Sequence, residues 1–465
     1  MNFHTYFSAS DRTTPVQTCI VGTGGFGRSF LAQGLRVPLM QTRVAVDVSA
    51  EVAAESMRSA GIAAADISIC ETREAARQAW DAGRYIAASR LETVLELPID
   101  VVVEATGQPE AGARHVRAAV DAGRHVALVS KEVDSVVGPQ LARRALERGR
   151  LVSPVDGDQP SLLIGLITWA EVIGLEIIAA GKSSEYDFVF DPATQTLTSN
   201  GRTVSAPDFA TWFDLGARGC AEVAAGRAAA ASALPQRAVP DLCELTVVAN
   251  ATGLLPDRPD LHAPIAAIGE VADFFAMQAD GGLLAGTRRL DVFHCLRLPN
   301  EVSFAGGVFV VVRCDDEVTW AMLRDKGHVL SRSGRTAMLY LPRHLLGLEA
   351  ATSVLEMALR GVSSGSQEPS HHADLVAHAD ADLPAGTVLT MGGHHHSIDK
   401  VSARMVPAGP LGLETVVPFY LAAGQRLVRP VAKDTPIRLA DIEIDETSEL
   451  WTLRKQQDAG FFPGR

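Results

Sequence analysis

Cys19-Ile20-Val21 runs directly into Gly22-Thr23-Gly24-Gly25-Phe26-Gly27-Arg28. A short apolar strand that ends in a glycine-rich turn and reopens as a helix commits the start of the chain to an α/β arrangement. Gly22 permits the tight turn, Gly24 lets a phosphate approach the backbone, and Gly27 allows close helix–strand packing. The backbone N–H groups and the helix N-terminus that follow can receive a pyrophosphate. Phe30, Leu31 and Leu35 supply the apolar face of that helix. A second apolar run, Val44-Ala45-Val46, ends at Asp47, about 20 residues on, where a ribose-binding carboxylate is expected. Gly22, Gly24, Gly25, Phe26, Gly27 and Asp47 are therefore the dinucleotide-binding candidates. The plainer reading is a glycine turn between any strand and helix of an α/β domain.

The pattern continues as a parallel sheet requires. Residues 44–47 read as a strand and 50–60 as a helix. Ile99 to Glu104 is an apolar run that ends in Ala105-Thr106-Gly107. Residues 110–122 read as a helix, and 125–129 as a strand ending at Ser130-Lys131-Glu132. Residues 138–149 read as the next helix. Ligands bind at strand carboxyl ends in such sheets, so Glu104, Thr106, Gly107 and Lys131 belong on the cofactor side.

The 465 residues leave room for two or three domains, and 47% are hydrophobic, enough for a large core. A net charge of -13 argues against nucleic acid or an anionic membrane as the main partner. Six scattered cysteines without a Cys-x-x-Cys pair read as reduced, mostly buried thiols. The first fourteen residues are polar, and no stretch is apolar enough to span a bilayer. These features predict a cytoplasmic protein acting on a small molecule.

Beyond residue 159 the pattern changes. Residues 162–173 read as a buried helix, 175–180 as a strand, and 194–207 as polar with a turn at Asn200-Gly201. Residues 221–235 read as an alanine-rich helix. Residues 308–312 and 336–341 read as buried strands, and 345–359 as a helix returning to the first domain. Residues 361–370 have linker composition, 374–446 suggest a small β-rich domain, and the last residues have no strong pattern and are expected to fray.

Lys131, at a strand end, could polarise a carbonyl or hold substrate. The plainer reading pairs it with Glu132 on the surface. Asp156 and Asp158 flank Gly157, and in an extended segment both carboxylates face one side. Such oxygens suit Mg²⁺ or Mn²⁺, with Glu185 as a further ligand. The alternative is an Asp-Gly turn capping the next helix. Lys182 follows the strand 175–180 and could bind substrate or act as an acid, or sit in a polar loop. Lys131, Lys182 and Asp158 are the catalytic candidates. Lys326, His328, Arg332 and Arg335, with Arg343 and His344 after them, form a basic cluster suited to a phosphate or carboxylate, or a solvated loop. His394-His395-His396 reads as a loop of the small domain rather than a metal site.

Several of these pieces resemble a known group. Glu104-Ala105-Thr106-Gly107 and Ser130-Lys131-Glu132 resemble the motifs of homoserine dehydrogenases and their relatives. Leu128-Val129-Ser130-Lys131-Glu132 resembles the Asn-Lys-Glu segment of deoxyxylulose phosphate reductoisomerases. Pro154-Val155-Asp156-Gly157-Asp158 resembles the Pro-Val-Asp-Ser-Glu segment that supplies their metal-binding carboxylates. Asp382-Leu383-Pro384-Ala385-Gly386-Thr387-Val388-Leu389 and Arg429-Pro430-Val431-Ala432-Lys433-Asp434-Thr435-Pro436-Ile437 resemble the SAF domain of sugar-acid dehydratases and sialic acid synthases. The layout is similar to that of deoxyxylulose phosphate reductoisomerase-like (DRL-like) oxidoreductases. Two departures stand out. An Asp-x-x-Arg-Lys segment is missing, and Asp158 replaces the Glu of the reductoisomerase pattern.

The resemblance implies an α/β fold: a Rossmann-type doubly wound parallel sheet over 1–153, an α+β catalytic domain over 154–365, and a small β-rich SAF-like domain and tail over 366–465. It implies NADPH or NADH as cofactor, a divalent metal, a phosphorylated substrate and a homodimer as an allowed state. The implied activity is reductive isomerisation of a phosphorylated ketose, deoxyxylulose phosphate to methylerythritol phosphate, a step of isoprenoid biosynthesis. A simple dehydrogenase of a small hydroxy acid, amino alcohol or semialdehyde is the first alternative. A non-catalytic nucleotide-binding sensor or assembly protein is the second. Asp47 favours NAD, because a 2′-phosphate would meet its charge; the reductoisomerase likeness favours NADPH.

Overall fold

Runs such as Val44-Ala45-Val46 and Val101-Val102-Val103 are apolar on both faces, and such strands are stable where helices cover both sides. The computed structural model describes residues 2–8, 14–393 and 396–464, so His394 and His395 of the histidine triplet lie outside the described residues. It builds these runs into a seven-stranded parallel sheet. The strands are β1 (Val16–Val21), β2 (Met40–Val46), β3 (Ile67–Ile69), β4 (Tyr85–Ala88), β5 (Val101–Glu104), β6 (His125–Leu128) and β7 (Val152–Ser153). Their order is β3-β4-β2-β1-β5-β6-β7. After β4 the chain crosses back past β1 to start β5, which leaves a crevice at the carboxyl ends of those two neighbours.

A second, mixed sheet follows. It contains β8 (Ile177–Ser183), β9 (Phe188–Asp191), β10 (Thr196–Ser199), β11 (Arg202–Ser205), β12 (Ile265–Ala266), β13 (Arg289–Arg297), β14 (Val308–Arg313), β15 (Val329–Leu330) and β16 (Thr336–Leu341). The order is β11-β10-β9-β13-β8-β14-β16-β15, with β12 beside β13. Asn200 and Gly201 both take positive φ, 47° and 68°, and close the β10–β11 hairpin as their residue types require.

The helix Val239–Thr252 joins the parts. It packs on helices Lys131–Leu146 and Gln159–Val172, on β13, and on the C-terminal strands Ala373–Ala379 and Val401–Pro407. Every residue from Asp241 to Asn250 is buried. The Asn250 side-chain oxygen accepts from the backbone N–H groups of His372 (2.8 Å) and Ala373 (2.9 Å), which docks the C-terminal strands onto it.

Four expectations need correction. The helix expected at 138–149 starts at Lys131 and contains Pro139; its packing overrides the Gly138-Pro139 break signal. The strand expected to end at Ala180 runs through Ser183, so Lys182 sits inside a sheet rather than in a loop. The helix expected at 345–359 does return to the first sheet, where Ala350, Val354, Leu355 and Met357 pack with Ile20, Phe30 and Ala45. It is broken, however: Gly347 presses on the helix Gly25–Gly34, where a Cβ would lie 2.4 Å from the Phe30 nitrogen. The tail expected to fray forms the helix Glu449–Phe461, whose polar Arg454 and Gln457 are fully buried.

Arg454 is the centre of that last contact. It grips Asp374 through two bonds of 2.5 and 3.0 Å and Asp458 through one of 2.8 Å. Burial alone would raise the Asp374 carboxyl, but Arg454 and the His371 hydrogen bond outweigh it and hold it well below its ordinary range. All six cysteines are free, and Cys314 alone is not fully buried. Among the described residues no helix is long and apolar enough to cross a membrane. Replacing Arg454 with Met leaves Asp374 buried without its cation, a change that costs about 3 kcal/mol or more. The expected result is a lower urea midpoint with early proteolysis of the C-terminal helix. An unchanged midpoint would show that the latch carries no net stability.

Candidate active site

The β1 turn has the shape a pyrophosphate needs. Gly22 holds φ +87°, and a Cβ there would lie 2.6 Å from the Ala105 carbonyl oxygen. Around Gly24 and Gly25 a Cβ would meet no heavy atom within 4 Å, so the backbone is open to solvent above the first turn of helix Gly25–Gly34. No side chain caps that helix, which leaves its first amides available to an anion. Gly27 lies close under Gly22, and Phe26 is half-buried against the core. This cradle fits a dinucleotide.

Asp47 stands at the end of β2. One carboxylate oxygen accepts from the Thr23 N–H (2.7 Å) and the Thr23 hydroxyl (2.5 Å), and the other from the Val48 N–H (2.7 Å). The acid thus braces the glycine turn first, and it still presents negative charge where a ribose would lie. Thr106 donates its hydroxyl to Glu104 (2.6 Å), and the Gly107 N–H donates to the Ser130 hydroxyl (2.8 Å), which ties the tips of β5 and β6 together.

Lys131 opens helix Lys131–Leu146, where the helix dipole disfavours a cation. Two carboxylates compensate. Its Nζ bonds Glu244 Oε1 and lies 3.6 Å from Asp158 Oδ1. Lys182, 2% exposed, sits between β13 and β14, bonds Glu244 Oε2 and lies 2.9 Å from Asp241 Oδ1. Glu244 therefore binds both lysines at once. Burial would raise its carboxyl, but the two lysines pull it down to about 2. Burial would lower each lysine; Asp158 and Glu244 hold Lys131 well above its ordinary value, and Asp241 with Glu244 raises Lys182. The Asp158 carboxyl is pushed up by burial against the opposing pull of Lys131, and burial keeps His344 on the neutral side.

Of the catalytic candidates, the structure brings Lys131, Lys182 and Asp158 together. Glu244 and Asp241 complete the cluster and were not singled out from the sequence; His344, which the sequence groups with the basic residues, joins it here through its interaction with Asp158. The available signal was two acids three residues apart in the apolar run Leu242, Cys243, Leu245, Val247 and Val248.

The metal candidates do not converge. Asp156 accepts from the Ser161 hydroxyl at 2.5 Å, Asp158 caps the next helix through the Gln159 N–H at 3.0 Å, and Glu185 is exposed. Among the described residues no group of three His, Cys, Asp or Glu side chains is arranged to hold a metal ion. A lysine ammonium, not a free edge, faces Asp158, so this donor set does not fit the expected Mg²⁺ or Mn²⁺.

The basic cluster is divided by β16. Leu341 and Lys182 both pair with Val308, at one end of the sheet; Thr336 pairs with Arg313 at the other, about 17 Å away over five residues. Arg332 there serves Asp273 (3.1 Å) and the Gly216 carbonyl (2.5 Å), and Arg335 serves Asp280 (3.2 Å). Lys326 is exposed at a helix end, and His328 lines a groove with Trp169, Tyr340 and Asp156. None of these four faces Lys182. From the C-terminal region His396 lies over Gly107, and its Nδ1 is 2.6 Å from Glu132 Oε1.

Residues 240–350, which carry Asp241, Glu244 and His344, match the family model described as oxidoreductase DRL, catalytic domain. No curated protein matches the sequence. Solved structures similar to the chain include a DOX-P reductoisomerase in complex with magnesium, 19% identical over 37% of this chain and 46% of that one, TM-score 0.28. A biliverdin reductase from Synechocystis sp. PCC 6803 in complex with biliverdin and NADP+ is 19% identical over 38% and 49%, TM-score 0.23. A UDP-N-acetylglucosamine 3-dehydrogenase from Acidithiobacillus ferrooxidans is 13% identical over 76% and 92%, TM-score 0.38. The match spans about half the length of the first two.

Two outcomes follow from this geometry. Gly24→Val adds a side chain into open space, so the fold and thermal midpoint should hold while NADH affinity, read by fluorescence quenching, falls by about tenfold or more. Retained affinity would remove the cradle assignment. The Glu132 hydrogen bond raises His396 above 6.5. The stability this contact supplies is therefore full below about pH 6.5 and is lost as pH rises through the raised value. His396→Ala should destabilise the protein at about pH 6 and much less at about pH 9, and an equal effect at both would rule the charged pair out.

Proposed function

We propose that this chain is an NAD(P)H-dependent oxidoreductase that reduces the carbonyl of a small substrate held beside Lys131 and Lys182. The observation that carries the reading is the meeting of the two lysines on Glu244, inside the matched segment and at the carboxyl-end side of the sheet that holds the glycine cradle. When bound, the reduced nicotinamide supplies a hydride. Lys131 Nζ stays protonated and offers a positive donor to a carbonyl oxygen, an interaction that strengthens as negative charge builds on that oxygen. Lys182, also protonated, adds to the same field. Asp158, 3.6 Å from Lys131 Nζ, is the carboxyl placed to pass a proton toward the new hydroxyl by way of Lys131. Glu244 stays ionised, fixes both ammonium groups, and is a positioning residue. The Asp47 charge supports NADH over NADPH.

A second reading is reductive isomerisation of a phosphorylated ketose such as deoxyxylulose phosphate, favoured by the adjoining Asp156 and Asp158 and by the likeness of their segment to metal-binding carboxylates. The donor set as placed does not fit a metal, so no step is drawn through one.

The test is oxidation of NADH and NADPH with keto acids, semialdehydes and deoxyxylulose phosphate, each with Mn²⁺ or with EDTA. Turnover that survives EDTA, with NADH preferred, is expected, and Lys131→Ala should lower kcat by about 10²–10³-fold with NADH affinity retained. Full activity in Lys131→Ala would overturn the reading. Turnover of deoxyxylulose phosphate that requires Mn²⁺ would replace it with the second. NADH binding without any turnover would leave a nucleotide-binding protein.

A further inference from the structure

A cavity of about 350 Å³ lies next to the Lys182 side of the cluster. Its walls include Ser184 and Tyr186 after β8, Arg237 with the first turn of helix Val239–Thr252, and Ser402 and Arg404 on the C-terminal strand Val401–Pro407. The Ser184 hydroxyl donates to Asp241 Oδ2 at 2.7 Å, while the other oxygen of Asp241 takes Lys182 Nζ at 2.9 Å. One carboxylate thus separates the cavity from the lysine.

The lining has an excess of positive charge. Among the described residues neither Arg237 nor Arg404 has a carboxylate within 4 Å; Arg237 donates to the carbonyls of Gln236 (2.7 Å) and His262 (3.3 Å), and Arg404 to that of Ala403 (3.1 Å). Burial lowers the Arg237 guanidinium, Asp260 and Asp291 oppose that, and the like charges of Arg258 and then Arg404 lower it further. Asp380 is the single carboxylate among the described lining residues. The helix Val239–Thr252 begins beside this space after an extended Ala238 with no capping side chain, and Asp241 is the acid of its first turn. The Ser402 hydroxyl oxygen is buried and has no hydrogen-bond partner. Two guanidiniums with no carboxylate in contact and an orphan hydroxyl together want an acceptor with several oxygens.

We propose that this cavity receives an oxyanion group of the substrate, phosphate or carboxylate, clamped between Arg237 and Arg404, so that the C-terminal region completes the substrate site. This rests on the reading of Lys182 as a reaction-centre lysine. An anion there supplies the charge the two guanidiniums lack and holds the substrate one carboxylate away from Lys182. Specificity for an acidic substrate then comes from Arg404, and not from Arg332 or Arg335 at the far end of the sheet.

The experiment is calorimetric titration of the full-length protein with inorganic phosphate and, separately, with malonate, without nicotinamide or substrate. Saturable binding of one anion is expected, weakened by about tenfold or more in Arg404→Gln and in Arg237→Gln and unchanged in Arg335→Gln. Tighter phosphate marks a phosphorylated substrate, and tighter malonate a carboxylate. Arg237 serves backbone carbonyls and its variant can lose folding, so Ser402→Val, on the same C-terminal strand as Arg404, is the second probe and should also weaken binding. No saturable binding by the unaltered protein, or equal binding in Arg404→Gln and Ser402→Val, overturns the proposal. Anion binding as expected without NADH oxidation would keep this site and remove the oxidoreductase reading. NADH oxidation with no anion binding would do the reverse.

Discussion

Glu244 carries one negative charge between two ammonium groups, almost out of contact with water. Alone, a carboxylate or an ammonium in that position would be neutralised or expelled, because burying either costs several kcal/mol. Each becomes tolerable because the other two are there. The three come from different parts of the chain: Lys131 opens a helix of the parallel-sheet half, Lys182 lies in the mixed sheet, and Glu244 belongs to the helix between them. The same bonds that neutralise the charges therefore fix the two sheets relative to each other. They also keep both lysines protonated, so the site polarises rather than deprotonates.

The C-terminal region shares a buried apolar cluster with the helices it covers, and polar contacts fix its position on them. Asn250 takes two of its backbone N–H groups, Arg454 and Asp374 form a buried pair, and the Gln457 amide bridges the Val136 carbonyl and the Gln140 N–H. Glu110 accepts from Ser448 and from the N–H groups of Glu449 and Leu450 at the start of the last helix. Polar contacts of this kind have one satisfactory geometry, whereas apolar ones slide. That geometry sets His396 over Gly107 and Arg404 beside the Lys182 side of the cluster, so the region borders the site from two directions.

Four strands of the parallel sheet, β1, β2, β5 and β6, were readable from their apolar runs, two of them ending in glycine turns; β4 was not, and the short β3 and β7 carry too few residues to stand out. Lys131 and Thr106 could be placed because they follow strands directly. Other readings failed for local reasons. Gly138-Pro139 looks like a helix start, yet packing holds a continuous helix through it. The basic residues from Lys326 to His344 look like one patch, yet a six-residue strand carries Arg343 and His344 to the opposite end of a sheet. Arg454 and Gln457 look like solvent-facing residues of a fraying tail, yet Asp374 lies 80 residues from the first and Val136 lies 321 residues from the second.

The chain by itself determined the α/β class, the glycine cradle and the strand ends beside it, because these depend on periodicity and on backbone freedom within a few residues. Tertiary structure alone decided which charges meet. Pairing Lys131 with Glu244, dividing the basic cluster, turning Asp158 toward a lysine rather than into a three-carboxylate group, and bringing Arg404 to Arg237 all join residues far apart in sequence. Their partners are selected by the cost of leaving a charge unpaired once the helices and sheets have closed over it.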